Sequence, residues 1–192
     1  MPILNLPGLG GSGAAHWQSL WEQSDPRIVR FAPSSWDNPE LDDWRAALDR
    51  ALEPLDGPVV LVAHSLSCLL VAHWAPESAL AGRVAGAFLV GPPDPDGPNF
   101  PQAEAIGFGV LPGTSLPFPA LVIASSDDPY GSISFAQKFA KARGAGFVNI
   151  GAKGHINAQS GLGDWAEGQR LLTAFCAGLS FKVEPARPAP IA

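Results

Sequence analysis

The segment that decides the fold is PVVLVAHSLSCLLVAHW, residues 58–74. Residues 59–63 form an uninterrupted apolar run with β-branched side chains, which is typical of a strand buried on both faces of a parallel sheet. After Ser65, apolar residues recur at intervals of three and four, and this pattern predicts an amphipathic helix. The sequence therefore predicts a strand that turns sharply into a helix, with Ser65 at the bend.

A strand, a serine and a helix in this order predict a nucleophile elbow, whose usual sequence is G-x-S-x-G. The positions two before and two after the serine are small because the strand and the helix approach each other closely there. In this chain they are Ala63 and Ser67, so both glycines are replaced by other small residues. The segment alone leaves a second interpretation open, in which Ser65 is only the N-cap of the helix.

The composition limits the class of protein. Apolar residues are 46% of the 192 and charged residues are 16%, which fits one globular domain, placed at residues 1–180 before a Pro-rich tail at 181–192. The formal net charge of −6, without a cluster of Lys and Arg, argues against nucleic acid as a partner.

We find no signal peptide and no apolar run that could span a bilayer, so we expect no membrane association. Cys68 and Cys176 are expected to be buried thiols, which fits a cytoplasmic location.

Apolar strands alternate with helical segments along the rest of the chain. We predict further strands at residues 2–6, 28–31, 84–90, 120–124 and 146–150, and further helices at residues 16–23, 41–52, 132–143 and 165–179. This alternation predicts an α/β fold with a mostly parallel, doubly wound sheet flanked by helices. Residues 91–119 are rich in proline and glycine but also in apolar side chains, so we expect an irregular, cap-like segment packed over the site.

Three polar residues each follow an apolar strand, namely Ser65, Asp128 and His155. The carboxyl ends of parallel strands meet at one edge of a sheet, so we expect these side chains to converge there. A serine hydroxyl becomes a good nucleophile when an imidazole takes its proton, and a carboxylate orients that imidazole and stabilises its charged form. Their order along the chain is also that of the α/β hydrolases. The sequence therefore predicts a Ser-His-Asp catalytic triad.

Two neighbours of these residues could compete for a role. Asp127 is adjacent to Asp128, and because neighbouring side chains on a loop point apart, we expect only one of them to face His155. We favour Asp128 and leave Asp127 open. His64 precedes the serine in an extended segment, so we expect its ring to point away from the serine hydroxyl.

A glycine-rich loop, PGLGGSG at residues 7–13, follows the first strand. Its G-x-G-x-x-G spacing also occurs in dinucleotide-binding proteins, but no acidic residue follows the next strand to hold a ribose. We interpret the loop as half of an oxyanion hole, with the backbone N–H groups of Leu66 and of Leu9 or Gly10 as donors. His16 either lines the site or caps its helix. No cofactor is implied, and the histidines lack the spacing of a metal site.

Several segments together resemble those of a known family. They are PGLGGSG, HWQSLWE, AHSLSC, SSDDP, and GHIN followed by SGLGDW. This set is similar to that of the small serine hydrolases related to retinoblastoma-binding protein nine and to the bacterial YdeN-like proteins, and the resemblance spans roughly residues 3–175. It implies a compact α/β-hydrolase fold with Ser65 as nucleophile, Asp128 as acid and His155 as base. The replaced glycines of the elbow are departures from the family pattern.

These observations predict a carboxylesterase-like serine hydrolase that cleaves a small ester or related acyl substrate through an acyl-enzyme. Esters, thioesters, lactones and amides can all react at such a site, so the substrate stays open. Phe100, Phe108 and Trp17 are candidates for the apolar lining of an acyl pocket. The alternative is a protein-binding module on the same fold with vestigial activity, which implies a protein partner. The replaced glycines of the elbow suggest it, and so does the name of retinoblastoma-binding protein nine, which records a protein partner.

Overall fold

The computed structural model of the chain describes residues 1–180. The strands in this part are β1 (Ile3–Leu6), β2 (Ile28–Arg30), β3 (Val59–His64), β4 (Val84–Val90), β5 (Ala120–Ala124) and β6 (Gly146–Asn149). The α-helices are α1 (Trp17–Ser24), α2 (Leu41–Leu52), α3 (Leu66–Trp74), α4 (Ile133–Arg143) and α5 (Ala166–Ser180). Short 3₁₀ helices lie at Ala79–Arg83 and Ala158–Ser160.

The strands form one sheet in the order β2-β1-β3-β4-β5-β6, and every neighbouring pair is parallel. The predicted parallel, doubly wound sheet is therefore confirmed. Three predicted helix starts, at residues 16, 132 and 165, lie one residue too early. At two of them, His16 and Ser132 are N-caps rather than first helical residues. Their side chains accept hydrogen bonds from backbone N–H groups of the first turn, which otherwise have no acceptor within the helix.

The central strand β3 separates two apolar cores. All six of its residues are buried, and alternate side chains face opposite sides of the sheet. Leu61 and Ala63 belong to the core that includes α2 and α3, whereas Val60 and Val62 belong to the core that includes α1 and α5. Burial on both faces explains why the strand reads as a continuous apolar run.

The irregular segment at residues 91–119 contributes apolar side chains to the core on the side of α2 and α3. Phe100, Phe108 and Phe118 are buried there, and the ring of Phe108 lies 5.6 Å from that of Trp44 on α2. Their burial explains how a segment with so little regular structure is held against the sheet. Only a part of it also borders the site described below.

The direction in which successive strands are added to the sheet changes at β1. After β1 the chain adds β2 on one side, and it later returns to add β3 on the other side of β1. The loops that follow β1 and β3 therefore flank the crevice at which ligands bind in sheets of this kind. The glycine-rich loop follows β1, and Ser65 follows β3.

Three other expectations concern parts of the chain outside this crevice, namely a membrane span, the burial of the two cysteines and the Pro-rich tail. In residues 1–180, no helix combines the length and apolar character needed to cross a membrane. Cys68 is buried as expected, but Cys176 is only partly buried because it lies near the edge of a surface groove beside the start of β1. The Pro-rich tail at 181–192 lies outside the described residues.

Candidate active site

Ser65 joins β3 to α3 in an unusual backbone conformation, with φ 55° and ψ −125°. Such a conformation costs a residue other than glycine about 1–3 kcal/mol and persists only where the surroundings hold it. Ser65 occupies the N-cap position, but its side chain makes no capping hydrogen bond. Its Oγ instead lies 2.8 Å from Nε2 of His155. The geometry therefore favours a role for the hydroxyl other than helix capping.

The tight approach at the elbow is made by Gly8, from the loop after β1. A Cβ atom on Gly8 would lie 2.8 Å from Cβ of Ser65 and 3.0 Å from the carbonyl oxygen of His64. The same loop is tied to α3 by Ser67, whose buried Oγ donates a hydrogen bond of 2.6 Å to the carbonyl of Pro7. The serine that replaces the second elbow glycine is thus accommodated and adds a link that glycine could not make.

His155 is held between Ser65 and Asp128. Its Nδ1 lies 2.9 Å from both carboxylate oxygens of Asp128, and the two side chains are 9% and 2% exposed. The backbone N–H of Tyr130 donates a further hydrogen bond to Asp128. Because a carboxylate accepts hydrogen bonds, it favours the tautomer that carries the proton on Nδ1 and leaves Nε2 free to take a proton from Ser65.

Asp127 faces a different set of groups. Its carboxylate accepts hydrogen bonds of 2.7 Å from the Ser125 hydroxyl and from the Gly154 backbone N–H, and these bonds lower the pKa of Asp127. Asp127 thus braces the loop just before His155, whereas Asp128 contacts the imidazole itself.

The loop after β1 supplies backbone N–H groups near the serine. The N–H of Gly11 donates to the carbonyl of Gly8, and this turn places Gly10 at φ 78°, a conformation that glycine adopts readily. The N–H of Gly10 donates to the carbonyl of Trp36 at 2.9 Å, which corrects the interpretation of Gly10 as an oxyanion donor. Within residues 1–180, no acceptor is bonded to the N–H of Leu9 or to that of Leu66.

A cavity of about 400 Å³ opens over these groups. It is lined by Leu9, Gly10, Ser12, Gly13, His16, His64, Ser65, Leu66, Pro93, Asn99, Pro101, Tyr130, His155, Asn157, Ala158 and Gln159. None of these lining residues, all within the described part of the chain, is an aspartate, glutamate, lysine or arginine. Apart from the imidazoles, the polar groups at its wall are therefore uncharged hydroxyls, amides and backbone groups.

Two histidines of the wall, His16 and His64, have pKa values lowered by burial. Burial, with smaller contributions from Arg30 and His155, lowers the pKa of His16 to about 4. Burial also holds the pKa of His64 well below its usual value. His16 fulfils both expectations, since it lines the cavity and its Nδ1 accepts the N–H of Gln18 at the start of α1. A histidine with a low pKa adds polarity to the wall but no charge.

Two residues have contacts that the local sequence did not predict. His64 contacts the loop that carries His155, and its Nε2 is 2.9 Å from the carbonyl oxygen of His155. Trp17 was a candidate for the acyl lining, but it is buried in the core and donates from Nε1 to the carbonyl of Ile156 at 2.8 Å. Phe100 and Phe108 are likewise core residues and are absent from the cavity wall.

Known proteins resemble this chain in sequence and in structure. A family model described as "Serine hydrolase" matches residues 3–174. A search of curated proteins found no match. A putative YdeN-like hydrolase from Pectobacterium atrosepticum is 32% identical, with a TM-score of 0.81 over 93% of this chain and 91% of that chain. This similarity confirms the resemblance to YdeN-like proteins.

More distant structures share the fold. The ydeN gene product of B. subtilis is 21% identical, with a TM-score of 0.73 over 92% of this chain and 98% of that chain. A thermophilic esterase from Thermogutta terrifontis is 16% identical, with a TM-score of 0.66 over 93% of this chain and 90% of that chain. The α/β-hydrolase fold is confirmed, and with the family match over nearly its whole described length, this chain belongs to the serine hydrolase family.

Proposed function

We propose that the protein hydrolyses a small ester, or a related acyl compound, through a covalent intermediate on Ser65. The observation that carries this proposal is the continuous hydrogen-bonded series from Asp128 through His155 to the hydroxyl of Ser65. The series ends at the wall of the cavity, where an acyl carbonyl can reach the hydroxyl. Buried geometry of this kind suits nucleophilic catalysis.

In the first half of the reaction, Oγ of Ser65 attacks the acyl carbon while Nε2 of His155 takes the hydroxyl proton. The carbonyl oxygen becomes an oxyanion, and the N–H groups of Leu66 and Leu9 donate to it. Leu66 is the first residue of α3, so its N–H also carries the partial positive charge of a helix N-terminus. One donor of this type is worth about 3–4 kcal/mol of the activation barrier.

Collapse of this intermediate breaks the bond to the leaving group, which receives the proton from His155 and departs as an alcohol. A water molecule then gives a proton to Nε2 of the imidazole and attacks the acyl-enzyme. Collapse of the second tetrahedral intermediate breaks the bond between Oγ and the acyl carbon and releases the acid, while the imidazolium of His155 returns the proton to Oγ of Ser65. Throughout both halves, Asp128 stabilises the charged imidazolium without being protonated itself.

Covalent labelling tests this proposal directly. A fluorophosphonate probe is expected to add once to the folded protein, and mass spectrometry of a digest should place the adduct on the peptide that contains Ser65. The activated hydroxyl attacks the phosphorus of the probe and displaces fluoride, and the phosphonyl adduct imitates the tetrahedral intermediate. Well-folded protein that takes up no probe would contradict the proposal and favour the protein-binding alternative.

The lining of the cavity predicts a preference for uncharged acyl groups. We expect kcat/KM for p-nitrophenyl valerate to exceed that for mono-p-nitrophenyl glutarate by about tenfold or more, because the wall offers no cation to pair with the second carboxylate. The two esters have acyl chains of equal length and differ at the far end. Their hydroxide-catalysed rates correct for intrinsic reactivity.

A variant of the wall serves as the control for this preference. Gln159 is exposed at the cavity and lies apart from the hydrogen bonds between Asp128, His155 and Ser65. The substitution Gln159→Lys supplies a cation and should narrow the difference between the two esters. An equal or greater kcat/KM for the glutarate ester in the unsubstituted protein would rule out the preference.

A further inference from the structure

The loop that carries His155 has a strained backbone. The residue after the imidazole, Ile156, has φ 49°, and a β-branched residue is rarely found in this left-handed region. Ile156 is also completely buried. A conformation of this kind persists only where the surrounding structure over-determines it, so its neighbours must hold it in place.

Two ring N–H groups from other elements bind the two carbonyls at this point. The carbonyl oxygen of Ile156 accepts from Nε1 of Trp17 at 2.8 Å, and the carbonyl oxygen of His155 lies 2.9 Å from Nε2 of His64. A carbonyl only accepts, so His64 must carry its proton on Nε2. Both rings are buried, with 1% and 4% exposed. Consecutive carbonyls are thus held by two side chains that have little freedom to move.

The two donors come from the elements that form the rest of the site. His64 is the last residue of β3 and directly precedes Ser65, and Trp17 is the first residue of α1, just beyond the glycine-rich loop. Neither ring touches the Ser65 hydroxyl through a hydrogen bond in the structure. Each instead fixes the backbone of the loop relative to the nucleophile. Asp128 fixes the orientation of the imidazole but not the position of the loop backbone.

We propose that Trp17 and His64 are positioning residues, which hold the carbonyls of Ile156 and His155 so that the imidazole stays within hydrogen-bonding distance of Ser65. We call this pair of hydrogen bonds the carbonyl clamp. The inference rests on the proposed function, since it explains how the imidazole is kept ready for proton transfer. Small displacements of a catalytic group by about 1 Å can cost on the order of 100-fold in rate.

The variant Trp17→Phe tests the clamp, because phenylalanine keeps an aromatic ring in the core but has no N–H. Trp21→Phe is a matched control. Trp21 lies one turn later on α1, is 2% exposed, and donates from Nε1 to the carbonyl of Asp164 at 2.6 Å rather than to the carbonyl of His155 or of Ile156. Both tryptophans also contact the ring of Trp165. The two variants should therefore lose similar amounts of thermal stability.

Only the first variant should lose reactivity. We expect Trp17→Phe to lower the rate constant of fluorophosphonate labelling at Ser65, and kcat for p-nitrophenyl valerate, by about 10- to 100-fold with KM nearly unchanged. Trp21→Phe should stay within about twofold of the unsubstituted protein in both assays. All rates are measured well below the Tm of each variant, so that a loss of folded protein does not contribute.

A second pair of variants examines the other half of the clamp. The amide of glutamine can donate where Nε2 of His64 does, whereas leucine cannot donate at all. His64→Gln is therefore expected to keep most of the labelling rate, and His64→Leu to lose it. If the ring of His64 only filled space, the two variants would be labelled at similar rates. A faster rate for His64→Gln therefore indicates that the hydrogen bond itself matters.

The outcomes separate this inference from the function on which it rests. If the unsubstituted protein is labelled at Ser65 and Trp17→Phe is labelled as fast as Trp21→Phe, the clamp is refuted while the hydrolase proposal stands. Equal rates for His64→Gln and His64→Leu would refute the part assigned to His64. If the unsubstituted protein is not labelled, the proposed function fails and the clamp fails with it.

Discussion

Replacement of Ser65 by alanine is expected to lower kcat for ester hydrolysis by roughly 10⁵- to 10⁶-fold and to abolish fluorophosphonate labelling. Oγ of Ser65 lies 2.8 Å from Nε2 of His155, and without this oxygen no bond to the acyl carbon can form. The fold should be preserved, because the side chain of Ser65 makes no helix-capping hydrogen bond. Steady-state kinetics, with thermal unfolding measured on the same samples, provide the comparison.

Ser67→Ala is the matched control, since Ser67 lies two residues further along at the start of the same helix. Its hydroxyl is buried and bonded to the carbonyl of Pro7 rather than to the imidazole. We expect this variant to be labelled on Ser65 still, with a free energy of unfolding reduced by about 1–3 kcal/mol for the lost buried hydrogen bond. Labelling that persists in Ser65→Ala but disappears in Ser67→Ala would identify a different nucleophile.

Replacement of Asp128 by asparagine is expected to reduce kcat by about 10⁴-fold, with a smaller change in KM. Both oxygens of this carboxylate lie 2.9 Å from Nδ1 of His155. An asparagine amide can turn its NH₂ group toward Nδ1, which then favours the tautomer with its proton on Nε2. In that tautomer the imidazole cannot take the proton of Ser65, and it also loses the charge that stabilises its protonated form.

The neighbouring substitution, Asp127→Asn, separates the two aspartates. The oxygen of an asparagine can still accept from Ser125 and from the N–H of Gly154, so the loop before His155 keeps most of its support. We expect kcat to fall by less than about tenfold in this variant. If Asp127→Asn lost far more activity than Asp128→Asn, the assignment of the acid would have to be reversed.

The sequence predicted the strands and helices closely because their signals are local. The apolar run of β3 and the three- and four-residue spacing of α3 reflect which faces of one element are buried, and each can be recognised in a short window. The helix starts were predicted less accurately. His16 and Ser132 were predicted inside helices but are N-caps, since periodicity does not distinguish a cap from a first helical turn.

The candidate site could be predicted as far as it depends on strand ends. Ser65, Asp128 and His155 each follow a buried strand, and a parallel sheet brings such positions to one edge. Which of Leu9 and Gly10 keeps a backbone N–H without an acceptor could not be predicted in this way. It depends on the carbonyl of Trp36, a residue of the loop after β2 that approaches Gly10 only in the folded chain.

The sequence by itself determined the α/β class, the parallel sheet and the strand ends at which polar residues gather, because hydrophobic periodicity and chain order are properties of neighbouring residues. Only the tertiary structure decided which aspartate meets His155 and which side chains hold the carbonyls beside it. The contact of Trp17 with Ile156 joins residues 139 positions apart, and that of His64 with His155 joins residues 91 apart. Such contacts depend on the directions of side chains from separate elements, and no local pattern encodes those directions.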